Sequence, residues 1–237
     1  MNKITTVLFD LDGTLIDLNQ DEFIRLYFAV LLDKLAALGY ERDFMLSALE
    51  TAIRATKHND GTCTNKVRFW QSLGDAVGGL SDTLCQAILS FYSDDFGYIL
   101  ERTCTAYPRS REILEAARSR GMRIILATNP LFPAECTYAR IRLGGMSPDD
   151  FEYVTAYENS SYCKPSPGYF TELLDKLGID PCECVMVGND TKDDFAAHAL
   201  GIPVFILTDG LINQGGVDLA EYPHGGFDDL ISYIRSI

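Results

Sequence analysis

Histidine and tryptophan are scarce in this chain of 237 residues, with three of the first and one of the second. His58, His198 and His224 lack ligand-like spacing, so they are read as structural and a histidine-built metal centre is not expected. Long apolar runs are missing too. No stretch approaches the ~20 residues that cross a bilayer, and Met1-Asn2-Lys3-Ile4 leads into a strand-like run rather than a secretory signal. Positive charge is in short supply: 20 Lys and Arg against 34 Asp and Glu leave a net charge of −14. That balance disfavours nucleic acid or an anionic membrane as partner. Any phosphorylated ligand would need a local positive centre, from a lysine, a metal or helix N-termini. The seven cysteines form no CxxC pair, Cys182 and Cys184 being the only close ones. They read as reduced thiols of a cytoplasmic protein.

What is present is ordinary globular composition, 47% hydrophobic and 23% charged, in a length that suits one large domain or a core plus a smaller module. Strand-like apolar runs occur at 5–9, 123–127, 153–156, 184–187 and 204–207. Helical periodicity occupies 110–120, 134–143, 167–177, 191–200 and 227–234. This alternation predicts an α/β fold, a Rossmann-like parallel sheet with helices on both faces. Gly121, Gly178 and Gly201 each stand where a helix should close before the next strand region. Between 18 and 105 the rhythm breaks. Four helical patterns, at 21–38, 42–57, 64–77 and 81–100, succeed one another with no convincing strand. The expected organisation is a core formed by 1–17 and 105–237, with an all-helical module at 18–104.

Ligands in an open parallel sheet gather beyond the carboxyl ends of its strands. After the first strand come Asp10 and Asp12, two carboxylates at i and i+2 that share a side of an extended segment, followed by Gly13 and Thr14. Like charges so placed call for a cation, a shared proton, or both. Thr128 and Asn129 follow the second strand, Lys164-Pro165 lies downstream of the third, and Gly188-Asn189-Asp190 follows the fourth, with Asp193 and Asp194 one turn on.

These four stretches, in this order and spacing over nearly the whole chain, resemble the four motifs of the haloacid dehalogenase superfamily. The helical module is similar to the cap of a subgroup rich in small-molecule phosphatases. The resemblance implies a phosphatase with Mg²⁺ as cofactor, acting on a small phosphorylated metabolite as monomer or homodimer. Asp10 would be the nucleophile that forms an aspartyl-phosphate. Asp12 would be the general acid and base, protonated at the outset; its plainer reading is a further metal ligand or a turn cap. Thr128 would hydrogen-bond a phosphoryl oxygen, unless it merely caps a helix. Asn129 would offer its backbone N–H to phosphate or cap the helix. Lys164 would neutralise charge on Asp10 and the phosphoryl group.

For the metal, the resemblance implies Asp10, the backbone carbonyl of Asp12 and a residue of the last motif. Asn189 stands where the family often has Asp, so Asn189 is the expected ligand and Asp190 the alternative. Asp193 and Thr14 would lie just behind these ligands. Asp194 is expected to be a solvated acid in the first turn of a helix. Arg54, Lys57, His58, Lys66, Arg68 and Trp70 make the helical module locally basic, and each is read as a solvated or core residue rather than a substrate contact. A phosphomutase or a dehalogenase on the same fold, or a non-catalytic binding protein, are the alternatives. Asp12 and the acidic last motif argue against the dehalogenase.

Overall fold

The computed structural model describes residues 3–237. Met1 and Asn2, which open the stretch read as lacking a secretory signal, lie outside the described residues. Strand β1 (Thr6–Phe9) passes through a tight turn into the short β2 (Ile16–Leu18). Helices α1 (Gln20–Ala36), α2 (Arg42–Lys57), α3 (Asn65–Val77), α4 (Asp82–Ser90) and α5 (Phe96–Thr103) follow, with a π-helical turn at Phe91–Asp95 before the last. The chain returns through β3 (Cys104–Ala106), antiparallel to β2. Then come α6 (Ser110–Ser119), β4 (Arg123–Leu126), α7 (Ala134–Leu143), β5 (Tyr153–Val154), α8 (Pro167–Leu177), β6 (Cys184–Gly188), β7 (Val204–Leu207), β8 (His224–Gly225) and α9 (Phe227–Ser236).

Six strands make a parallel sheet in the order β5-β4-β1-β6-β7-β8, and β2 and β3 form a separate two-stranded ribbon. Every residue of β1, β6 and β7 is buried, as a sheet covered on both faces demands. Val7 and Phe9 point to the face shared with Val187 and Phe205 and covered by Leu114 of α6 and Ile231 of α9. Leu8 points to the other face, with Met186 and Ile206 under Tyr169 and Phe170 of α8. The apolar sides of α1 to α5 join the first of these cores, which runs on through Phe23, Leu31, Met45 and Ile88. From β1 the chain builds outward through β4 and β5, then crosses to β6 on the opposite side of β1. The β1–β6 crevice is therefore the switch point where an open α/β sheet takes its ligand.

Local chemistry accounts for most boundaries. Asn19, Glu41, Thr64 and Ser81 accept backbone N–H bonds at the starts of α1 to α4. Gly121, Gly178 and Gly201 adopt φ of 69°, 61° and 77° where the helical segments end, as the sequence predicts. The predicted helix at 191–200 is instead a turn followed by a short 3₁₀ helix, Phe195–Leu200. Carboxylates capture the backbone donors there: Asp190 Oδ1 accepts from Lys192 and Asp193 N–H, and Asp194 Oδ2 from Asn189 and Asp190 N–H. The predicted helix at 81–100 is interrupted by the π turn, with Phe91, Tyr92 and Phe96 all buried around it.

Candidate active site

Asp10 leaves the end of β1 with its N–H donating to Val187 O of β6 at 2.9 Å, so both sides of the crevice locate it. Lys164, just ahead of α8, reaches the same point. Its Nζ donates to Asp10 Oδ1 at 2.8 Å and to Asp194 Oδ1 at 2.7 Å. Asp194 is thus not the solvated acid expected from the sequence. It is 1% exposed, and its other oxygen takes the Asn189 and Asp190 N–H groups at 3.0 Å each. Its approach depends on Gly188, because a Cβ there would lie 2.0 Å from Asp194 Oδ2. Burial pushes the Asp10 carboxyl up to about 7, Lys164 opposes this, and the charges of Asp194 and Asp12 add to it. Burial works against charge on Lys164, but Asp10 and Asp194 more than offset it and hold its pKa above the ordinary lysine value.

Thr14 and Asn189 pack against Asp10. The Thr14 hydroxyl lies 3.4 Å from Asp10 Oδ2 and 3.1 Å from Asn189 Oδ1. Asn189 Nδ2 donates to Gly210 O at 2.6 Å, which fixes the amide so that its oxygen turns toward Thr14 and the Asp10 side. Gly13, at φ 82°, makes room for this amide, since a Cβ would sit 2.2 Å from Asn189 Nδ2. Asp190 serves its own turn through Oδ1.

Neither Thr128 nor Asn129 caps a helix, because α7 begins only at Ala134, behind Pro133. The Thr128 carbonyl is held by the hydroxyls of Thr155 and Tyr169 at 2.7 and 2.9 Å, while its own hydroxyl has no partner among the described residues. Asn129 Nδ2 donates to Asp193 Oδ2 at 3.2 Å, and burial, followed by the charge of Asp190, raises the Asp193 pKa. The sequence reading missed Arg140 altogether. This α7 side chain is fully buried, lies over the Phe132 ring, bonds Thr137 and forms an ion pair with Asp12. The available signal was an arginine on the apolar side of a core helix.

A family profile described as haloacid dehalogenase-like hydrolase matches residues 4–201. The chain belongs to this family. It is similar to the phosphoglycolate phosphatase of Rhodospirillum rubrum, with 28% identity over 228 residues, 95% of this chain and 88% of the relative. It is also similar to the pyrophosphatase PpaX of Bacillus pumilus, with 27% identity over 200 residues, 84% of this chain and 81% of the relative. Among solved structures it shares its fold with an HAD phosphatase from Thermococcus onnurineus, at TM-score 0.58 and 22% identity, over 98% of each chain.

In this hydrolase the predicted residues open onto one cavity of about 710 Å³. Asp10, Asp12, Thr128, Asn129, Lys164 and Asn189 line its floor, with Asp190 and Asp193 beside them. Thr14 lies behind the floor. Among the described residues no three His, Cys, Asp or Glu side chains are spaced to hold a metal ion. A cation site would therefore rest on mixed oxygen donors: the Asp10 carboxylate, the Asn189 amide oxygen and the Asp12 carbonyl, which accepts no backbone hydrogen bond among the described residues. Among the described residues that line the cavity there is no imidazole or thiol, and a donor set of oxygens alone suits a hard cation such as Mg²⁺.

Proposed function

We propose that this hydrolase is a Mg²⁺-dependent phosphatase that cleaves a small phosphorylated metabolite through a phosphoryl group carried on Asp10. The carrying observation is the buried Asp10 held by Lys164 at the switch point of the sheet, with Asp12 two residues away. The names of the two curated relatives support phosphate chemistry. Asp10, the Asp12 carbonyl and Asn189 would hold Mg²⁺, in preference to Asp190, whose Oδ1 is occupied by its own turn. Bound there, the ion would supply positive charge that lowers the repulsion between a carboxylate and a phosphate dianion.

Asp10 attacks phosphorus as the ester P–O bond breaks, and the leaving oxygen takes a proton from Asp12. Asp12, now ionised, accepts a proton from water. That water attacks the acyl phosphate, releases inorganic phosphate and restores Asp10. Lys164 balances charge beside Asp10, and the Thr128 hydroxyl and Asn129 N–H supply donors to the phosphoryl oxygens. Arg140 pairs with Asp12 in its carboxylate form, so Asp12 leaves this partner to carry the proton that it donates to the leaving oxygen and regains it on ionising. Residues 18–104 act as the cap over a catalytic core of 1–17 and 105–237.

Hydrolysis of p-nitrophenyl phosphate with and without Mg²⁺ tests the reading. Turnover is expected only with the metal and is expected to vanish in Asp10→Asn. Full activity in that variant, or no turnover with Mg²⁺, Mn²⁺ or Co²⁺, would contradict it.

A further inference from the structure

The cavity above Asp10 has a roof that is chemically unlike its floor. One roof strip comes from α1, through Gln20, Phe23, Ile24, Tyr27 and Phe28. These positions follow the i, i+3, i+4, i+7, i+8 spacing of a single helix face. The second strip comes from α2, through Glu50, Ile53, Arg54 and Lys57, again one face at i, i+3, i+4, i+7. Phe132, from the loop before α7, packs edge-to-face on Phe23 and Tyr27 at 5.8 Å and continues the aromatic wall. The floor carries phosphate chemistry; the roof offers rings and aliphatic side chains.

The charges divide just as clearly. Four cations line the cavity. Lys164 is paired with Asp10 and Asp194, and Arg140 with Asp12. Arg54 and Lys57, one turn apart on α2, have no ion-pair partner among the described residues, although Glu50 stands one turn before Arg54. In a chain of net charge −14 this is the unneutralised positive charge of the cavity, and it sits on the wall that the helical insert contributes. The volume of about 710 Å³ lies within the ~300–1,000 Å³ of pockets that enclose drug-sized ligands. A two-carbon phosphate would leave Ile24, Phe28 and Phe132 facing water, with the buried rings of Phe23 and Tyr27 behind them.

We infer that the substrate is a phosphate monoester whose leaving group is an aromatic body bearing a second anionic group, the ring lying on the α1–Phe132 wall and the distal anion meeting Arg54 and Lys57. This rests on the phosphatase reading and adds to it the class of the leaving group. Edge-to-face contact with Phe23 or Phe28 would favour a ring over a plain chain. Arg54 presents a planar fork suited to carboxylate or phosphate, and Lys57 adds a mobile point charge.

Three phosphonates that cannot be hydrolysed separate the parts of the claim, measured by calorimetry on the Mg²⁺-loaded protein. Phosphonopropionate mimics phosphoglycolate, benzylphosphonate adds a ring without a second anion, and para-carboxybenzylphosphonate has both. The last is expected to bind tightest, by about tenfold over benzylphosphonate, the scale of one charge-assisted hydrogen bond. That advantage should disappear in the Arg54→Gln, Lys57→Gln double variant and return in Arg54→Lys, Lys57→Arg. Both side chains are exposed on α2, and a thermal melt of each variant checks that it folds. Equal or tighter binding of phosphonopropionate would overturn the inference, as would a carboxylate advantage that survives the double variant. Hydrolysis of p-nitrophenyl phosphate is measured in parallel. Its absence alongside the predicted binding order would sink the phosphatase reading and leave the ligand class standing. Its presence with the reverse order would do the opposite.

Discussion

Lys164 decides the geometry of the site at the scale of single residues, because one ammonium group, 4% exposed, joins Asp10 to Asp194. Removing one partner from a buried ionic cluster leaves charge without compensation, at about 3–5 kcal/mol. Lys164→Met should therefore lower unfolding stability by about that amount in chemical denaturation, as well as abolish turnover. Asp10 makes a second prediction. Its carboxyl is raised to about 7 in the fold, above its value of ~3.9 in an unfolded chain. The folded protein then binds the proton more tightly than the unfolded one. The stability this contributes is fully present at low pH and is lost as pH rises through about 7. In metal-free protein the thermal midpoint should fall between acid and neutral pH more steeply in wild type than in Asp10→Asn. Equal slopes in the two proteins would contradict this origin. Arg140 and Asp194 show why such details escape a sequence: their partners lie 128 and 30 residues away, and burial alone turns an ordinary charge into part of the site.

At the scale of elements, the insert is tied to the sheet at more than its ribbon. Asn65, the first residue of α3 and fully buried, donates through Nδ2 to Pro130 O and Tyr162 O at 3.1 Å each. Its N–H donates to Ser160 O, and the Lys66 N–H to Tyr157 O, both at 2.8 Å. Asn65→Ala would strand two buried carbonyls, costing about 1–3 kcal/mol. It would also loosen the roof over Asp10, so an increase in KM larger than any fall in kcat is expected from steady-state kinetics. A fall confined to kcat would argue that α3 does not hold the roof. The helices of this region were legible because their apolar positions repeat at 3.6 residues and their caps are polar. The β2–β3 ribbon was not, since three residues per strand carry too little alternation to separate from a loop. The 191–200 segment misled for another reason: its apolar spacing suggests a helix, while the carboxylates of Asp190 and Asp194 take its backbone donors.

At the scale of the whole molecule, the order of the strands brings four distant stretches of chain to one crevice. The strand ends were readable because buried parallel strands are continuous apolar runs, and chemistry collects where those runs stop. Asp10, Asp12, Thr128, Asn129, Lys164 and Asn189 do meet at one cavity. What stayed hidden was the wall opposite: which faces of α1 and α2 look onto that cavity depends on how the insert docks, and no local pattern encodes it. We propose that phosphoryl transfer passes through Asp10. This is tested most directly by quenching the Asp12→Asn variant in acid during turnover with Mg²⁺ and p-nitrophenyl phosphate, then mapping the adduct by mass spectrometry. A phosphoryl group is expected on the peptide that contains Asp10, retained because the residue that activates water is gone. Phosphate release without any adduct on that peptide would contradict it.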